Sequence, residues 1–181
     1  MEIIQLSKEQ LRRFLIAYQG LSCPKPFKGL QGIKEFVKRV GCLQYDPLNV
    51  VGRNIDLLLQ SRIEGYEPWM LEKLLYQDRE LIDGWDKMMA IYSREDWPYF
   101  KRVRDKSKAG IESMLEYRSS LRVTDYVDEV RDYISQNGPC LANKINLGKA
   151  ERGRWGHGRI SGATMDYMFN TGILGIRERK N

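Results

Sequence analysis

The spacing of apolar residues predicts two helices at the start of the chain. A Ser-x-x-Gln capping box begins at Ser7, and four apolar residues follow it at i, i+3, i+4 and i+7. These residues are Leu11, Phe14, Leu15 and Tyr18. The same spacing recurs over residues 33–40, and Gly41 follows as a residue suited to a helix end. Prolines and glycines predict a loop over residues 20–32, between the two helices.

The next stretch predicts an extended segment, two more helices and a hairpin. Residues 42–45 are extended, and Asp46-Pro47 is typical of an N-cap followed by the first residue of a helix. A short helix begins at Pro68, and residues 81–92 predict a hairpin around a tight turn. Helices followed by a hairpin are the order of elements in a winged helix-turn-helix unit.

The second half of the chain predicts the same order of elements again. Thr124 caps a helix that Asn137-Gly138-Pro139 stops, and a short helix follows near residues 141–145. Ser161 begins another helix, and residues 173–177 predict a strand. The chain stops where this second wing should return, so we expect it to be a fragment of something longer.

We therefore predict a mainly α fold with short β hairpins, in which tandem winged helix-turn-helix units are joined by a helical connector. The first unit spans residues 1–92, the connector 93–122 and the second unit 123–181. The connector is expected to be helical and interrupted near Pro98 and Gly110.

Composition narrows the class of protein. At 181 residues and 42% hydrophobic content the chain is long enough to bury a core. Three cysteines without a Cys-x-x-Cys pair and a single histidine, His157, argue against a disulfide framework, a metal site and most nucleophilic triads. The start of the chain is unlike a signal peptide, and no apolar run approaches the roughly 18 residues of a membrane span. We predict a cytoplasmic protein that needs no metal.

Positive charge is concentrated near the C-terminus. Eight basic and three acidic residues follow Pro139, so this part carries most of the net charge of +6. Arginines neutralise phosphates and an indole stacks on bases, so the second unit is predicted to bind double-stranded DNA. The predicted contacts are Lys144, Arg154, Trp155, Arg159, Arg177 and Arg179. The alternative is a solvated loop over residues 152–159. A further basic cluster over residues 101–108 fits a DNA contact or a solvated helix face.

The segment from Gln44 to Asp46 carries the candidate chemistry. Residues two apart in an extended segment point to the same side, so Gln44 and Asp46 face one way and Tyr45 the other. A carboxylate beside an amide can hold and deprotonate a water molecule, and a helix starting at Pro47 would favour the ionised carboxylate. The alternative is structural, with Asp46 as a helix cap and Gln44 bonded to a neighbouring strand.

This segment resembles the signature of the YcaQ/AlkZ superfamily of winged-helix DNA glycosylases. Gln44-Tyr45-Asp46 is similar to the Gln-x-Asp motif of the YcaQ-like branch, and the following helix ends in Ser61-Arg62 as the family's does. Weaker similarity covers much of the remaining chain. It includes residues 18–21, Gly65-Tyr66, Trp85, Gly138-Pro139 and residues 155–179.

The resemblance implies a DNA repair enzyme that removes N-alkylated purines, and for some members unhooks interstrand crosslinks. Asp46 would stabilise the sugar cation and activate water, Gln44 would position that water, and no cofactor would be needed. Apart from the resemblance, Arg53 and Arg62 lie on the helix predicted after Asp46 and are candidates for a DNA or active-site contact. The alternative for Arg62 is a pair with a carboxylate within the fold. The chain departs from the family where Lys87 replaces the histidine of a Trp-x-His motif, and family enzymes are considerably longer. A non-catalytic winged-helix DNA-binding protein or regulator, and a scaffold that binds only proteins, are the alternatives.

Overall fold

The computed structural model describes residues 3–46, 48–117, 122–147, 149–153 and 156–179. The described chain is mainly helical, as predicted, with three small sheets. It divides into two compact units. The first contains the described residues up to Asp83 together with 88–97, and the second contains 84–87 together with those from Pro98 onward.

The first unit places short strands between its helices. A parallel pair joins β1 to β3, and a three-stranded sheet has the order β2-β5-β4. A π-helical turn at Lys73–Gln77 continues α4. The elements are α1 Lys8–Tyr18, β1 Phe27–Lys28, α2 Gly29–Val40, β2 Cys42–Gln44, α3 Asn54–Arg62, β3 Ile63–Glu64, α4 Pro68–Glu72, β4 Leu81–Trp85 and β5 Met89–Ser93.

The core of the first unit lies between α2 and its neighbours. Ile33, Phe36 and Val37 occupy one face of α2, and Ile55 and Leu59 project from α3; each is at most 1% exposed. Burial of side chains of this size contributes about 1.5–3 kcal/mol apiece, so this cluster is the main stabilising feature of the unit. The cluster also fixes the position of β2, which lies between α2 and α3 in the chain.

The first unit confirms most of the predicted elements. The capping box at Ser7 forms with both of its hydrogen bonds, and Gly41 ends α2 with a φ of 85°. The extended segment, the helix at Pro68 and the hairpin are present. In the connector a 3-10 turn at Arg94–Asp96 precedes Pro98, but α5 passes through Gly110 without a break.

The predicted helix start at Asp46-Pro47 is wrong. Pro47 lies outside the described residues, and residues 48–53 form a turn in which Asn49 pairs with Arg53. Gly52 has a φ of 139°, which no helix accommodates, so α3 begins only at Asn54. Asp46 is therefore not the N-cap of α3, a position that Arg53 occupies.

The second unit is built around its last helix. Met168 of α8 and Val130 of α7 are fully buried, and Ile111 and Leu115 of α5 pack with them. The elements are α5 Lys101–Tyr117, α6 Arg122–Asp125, α7 Val127–Asn137, a 3-10 turn Ala142–Lys144, β6 Lys149–Gly153, β7 Gly156–Arg159 and α8 Ile160–Asn170.

Three predictions for the second unit are wrong. Thr124 lies inside α6 instead of capping α7. Residues 152–153 and 156–159 lie in the strands of the β6-β7 hairpin, where a loop was expected. The predicted strand at 173–177 does not form, because the amides of Ile173 and Leu174 donate to the Met168 carbonyl at the end of α8. Those two amides are thus not available to a neighbouring strand.

Candidate active site

Gln44 and Asp46 lie at the end of β2. Gln44 is the last residue of the strand, opposite Ala90 of β5, and is exposed. Tyr45 is 5% exposed, and its amide donates to the Met89 carbonyl at 2.8 Å. Asp46 is half-buried. The alternation of burial leaves the Gln44 amide and the Asp46 carboxylate on the outer side of the strand end, with the phenol ring in the core.

The Asp46 carboxylate is anchored by the loop that follows it. Its Oδ1 accepts a hydrogen bond from the Leu48 amide at 3.0 Å, which is the geometry of an Asx turn. This bond fixes the orientation of the carboxylate relative to the loop. The sequence predicted that the N-terminus of a helix would interact with this carboxylate. In the structure its donor is an amide of the loop.

Asn54, which the sequence analysis did not identify, holds the backbone of the candidate pair. Its Oδ1 accepts from the Asp46 amide at 2.8 Å, and its Nδ2 donates to the Gln44 carbonyl at 3.2 Å. One amide side chain thus bridges both residues from the first position of α3. Asparagine is a poor residue for a helix interior, which was the available signal that the helix starts here.

Arg53 lies beneath the loop in a buried polar cluster. It is 8% exposed, its Nε donates to Asp56, and an Nη donates to Glu72 at 3.3 Å. Tyr66 donates its hydroxyl to the same Asp56 carboxylate. Burial alone would lower the pKa of Arg53, but the hydrogen bond and charge of Asp56 and the charge of Glu72 outweigh it and raise the pKa. Burial first, and then Asp56, raises the pKa of Tyr66 far above its usual range.

The side chain of Arg62 joins α3 to the end of α1. Its Nε donates to the Gln19 carbonyl at 3.0 Å, an Nη donates to the Leu58 carbonyl, and its guanidinium lies 5.5 Å from the centre of the Phe36 ring. Burial lowers the pKa of Arg62. The predicted DNA contacts of Arg53 and Arg62 stay predictions, and both side chains have structural partners within the first unit.

The predicted DNA contacts of the second unit are mostly exposed where they are described. Lys144 and Arg177 are exposed, and Arg179 is half-buried. Arg159 is exposed at the end of β7 and donates to the Asn143 carbonyl at 3.3 Å. Arg154 and Trp155 lie outside the described residues. All of these residues belong to the second unit, whereas Gln44 and Asp46 belong to the first.

The hairpin that carries the family's Trp-x-His position is formed. Trp85 ends β4, and Lys87 is exposed in the turn before β5. Asp83, buried in the same strand, accepts a hydrogen bond from the Tyr76 hydroxyl at 3.2 Å. An exposed cation thus stands where the resemblance places a histidine.

A mainly helical, cationic chain with an amide and a carboxylate at one strand end fits the class of hydrolases that act on nucleic acids. A family model described as DNA glycosylase AlkZ-like matches residues 37–181. The chain belongs to this family, which confirms the resemblance and places the protein among DNA repair glycosylases, whose substrate is DNA. The match includes β2, the loop and α3. No solved structure matches the chain significantly.

The described residues bear on two further predictions, which concern a membrane span and a metal site. None of the helices described is long and apolar enough to cross a bilayer. Within the same ranges, no three histidine, cysteine, aspartate or glutamate side chains cluster as metal ligands would. That catalysis needs no metal stays a prediction.

Proposed function

We propose that this protein hydrolyses the N-glycosidic bond of N-alkylated purines in double-stranded DNA, with N7-alkylguanine as the simplest substrate and interstrand crosslinks as a further one. The observation that carries the proposal is the pair at the end of β2, in which an exposed Gln44 and a half-buried Asp46 are held by Asn54. The pair lies inside the region matched by the glycosylase family.

The chemistry follows from the charge of the lesion. Alkylation at N7 makes the purine cationic, so it leaves as a neutral base with the glycosidic electron pair and needs no protonation. The sugar then carries positive charge at C1′, which the Asp46 carboxylate stabilises. Gln44 positions a water molecule whose oxygen bonds to C1′, and Asp46 takes its proton. No metal or organic cofactor is required in this scheme.

The rest of the proposal concerns DNA binding. We place the phosphate and base contacts on the second unit, through Lys144, Arg154, Trp155, Arg159, Arg177 and Arg179. Arg62 contributes from the first unit, and Arg53, which is buried, contributes by holding the loop after Asp46. We also propose that the two units are tandem winged helix-turn-helix units of the YcaQ-like branch. The hairpin of β4 and β5 after the helices of the first unit supports this arrangement.

The test is release of N7-methylguanine from a duplex that contains a single lesion, corrected for spontaneous depurination. Asp46→Asn keeps an Oδ1 acceptor for the Leu48 amide and removes the charge, so we expect normal folding and a rate lower by about 10²–10⁴-fold. Gln44→Ala should also slow release. Glu64→Gln removes an exposed carboxylate of β3 and serves as the matched control.

The second candidate is a non-catalytic DNA-binding protein, which the exposed Lys87 at the family's histidine position favours. Wild-type protein that binds DNA with a steep salt dependence but releases no base supports this candidate. Wild-type activity that Asp46→Asn leaves unchanged would instead show that the reacting carboxylate lies elsewhere.

A further inference from the structure

In the loop between Asp46 and α3 the apolar side chains are exposed and the arginine is buried, which is the reverse of the usual arrangement. Surface loops normally present polar groups to water. Here Leu48, Val50 and Val51 are 69%, 88% and 87% exposed, while Arg53 is buried. Three large apolar side chains within four residues make a local patch that water solvates poorly.

The loop is held in place at both ends. At its start the Leu48 amide donates to the Asp46 carboxylate, and at its end Arg53 is fixed by Asp56 and Glu72. Asn49 pairs with Arg53 across the turn. The apolar side chains are therefore presented on an anchored turn, which lowers the entropy lost when they bind.

Gly52 adopts a backbone conformation in the turn that a residue with a side chain would adopt only with strain. Its φ of 139° is a left-handed conformation, and a Cβ there would lie 3.3 Å from Cδ2 of Leu57. Leu57 of α3 lies beside Gly52 and is itself 46% exposed. The loop thus rests on α3 and directs Val50 and Val51 away from the unit.

The patch is continuous with the candidate reacting pair. Leu48 is two residues from Asp46 and is hydrogen-bonded to its carboxylate, so a ligand that reaches Asp46 also meets the loop. The family's substrate is DNA, and the apolar surface that DNA offers is the faces of its bases. Apolar side chains that enter a base step partly unstack it and bend the duplex.

We propose that Leu48, Val50 and Val51 form an apolar wedge that enters the duplex at the lesion and replaces base stacking beside the damaged nucleotide. The inference rests on the proposed function and deepens it. The wedge separates the alkylated purine from its neighbour, exposes C1′ to Asp46, and excludes bulk water from the sugar cation.

The test measures unstacking and chemistry separately. A duplex carries N7-methylguanine on a 2′-fluorinated sugar, which resists cleavage, with 2-aminopurine at the adjacent position. We expect wild-type protein to raise the 2-aminopurine fluorescence on binding. The double variant V50S/V51S should lose most of this rise, and with the cleavable duplex its single-turnover rate should fall about tenfold. Leu141→Ser, which alters an exposed apolar residue in the second unit, is the control.

The outcomes separate the wedge from the proposed function. Asp46→Asn should keep the fluorescence rise while it loses cleavage. If wild-type protein cleaves the duplex without a fluorescence rise, or if V50S/V51S behaves like Leu141→Ser, the wedge is refuted and the glycosylase proposal stands. If wild-type protein unstacks the base but releases none, the glycosylase proposal fails and the wedge stands as a DNA contact.

Discussion

Asn54 is predicted to be the positioning residue of the candidate site. Its side chain is the bridge between the Asp46 amide and the Gln44 carbonyl, so two substitutions separate its contributions. Asn54→Ala removes both hydrogen bonds. Asn54→Asp keeps an acceptor for the Asp46 amide, loses the donor to Gln44, and places a second negative charge beside the candidate carboxylate.

The expected magnitude follows from the two bonds. Each intramolecular hydrogen bond contributes about 0.5–1.5 kcal/mol net, so Asn54→Ala should lower the free energy of unfolding by about 1–3 kcal/mol. Helix propensity adds no loss, because Asn54 is the first residue of α3 and alanine is a better helix former. The catalytic loss should be larger, since a displacement of about 1 Å of a reacting group can reduce a rate about 100-fold.

The assay combines urea unfolding with single-turnover release of N7-methylguanine and measurement of duplex affinity. A positioning role lowers the cleavage rate and leaves the affinity unchanged, whereas a general loss of structure lowers both. Gln60→Ala is the matched control, because Gln60 is an exposed amide on the same helix. Asn54→Asp keeps the bond from the Asp46 amide, and its added negative charge favours the sugar cation, so its cleavage rate should lie between those of wild type and Asn54→Ala.

Two results would refute this reasoning. If Asn54→Ala lowers stability as calculated but cleaves at the wild-type rate, the bridge is structural and does not orient the reacting pair. If Asn54→Asp cleaves no faster than Asn54→Ala, the bond from the Asp46 amide does not orient the candidate carboxylate.

Two other predictions concern stability. The pKa of Tyr66 is raised in the folded protein, so its contribution to the free energy of unfolding is complete below about pH 10 and is lost as the pH rises further. Tyr66→Phe should therefore make the fall in unfolding free energy above about pH 10 shallower; an unchanged fall in urea unfolding over that pH range would contradict this. Gly20→Ala should lower the unfolding free energy by about 1–3 kcal/mol more than Gly29→Ala, since both have positive φ but only at Gly20 would the Cβ lie 2.7 Å from the Phe27 ring; equal losses in urea unfolding would contradict this steric argument.

Elements defined by short-range signals were predictable from the sequence. The capping box at Ser7 and the apolar spacing of α1 and α2 depend on residues within two turns of one another. The turn between β4 and β5 is similarly local. The family was predictable from Gln44, Asp46 and the residues that follow, because a motif is read directly from the chain.

The errors arose where individual hydrogen bonds, and not a periodic pattern, decide the local structure. Asp46-Pro47 has the composition of a helix start. In the structure the Asp46 amide donates to the Asn54 side chain, and the hydrogen bond of Arg53 to Asp56 fixes the end of the loop. The segment 173–177 has the residues of a strand, but its first two amides donate to a carbonyl at the end of α8 and cannot pair with another strand. Hydrogen bonds of this kind leave no periodic pattern, so propensity alone could not reveal them.

The late start of α3 changes how the candidate carboxylate is controlled. A helix that began at Pro47 would orient the carboxylate through its N-terminal amides, whatever the loop residues were. In the structure the donor is the single amide of Leu48, which belongs to the same anchored turn as Val50 and Val51. The turn that carries the proposed wedge therefore also orients the candidate carboxylate. Because that turn is held at both ends, entry of Val50 and Val51 into a base step would bring C1′ to a carboxylate that is already oriented.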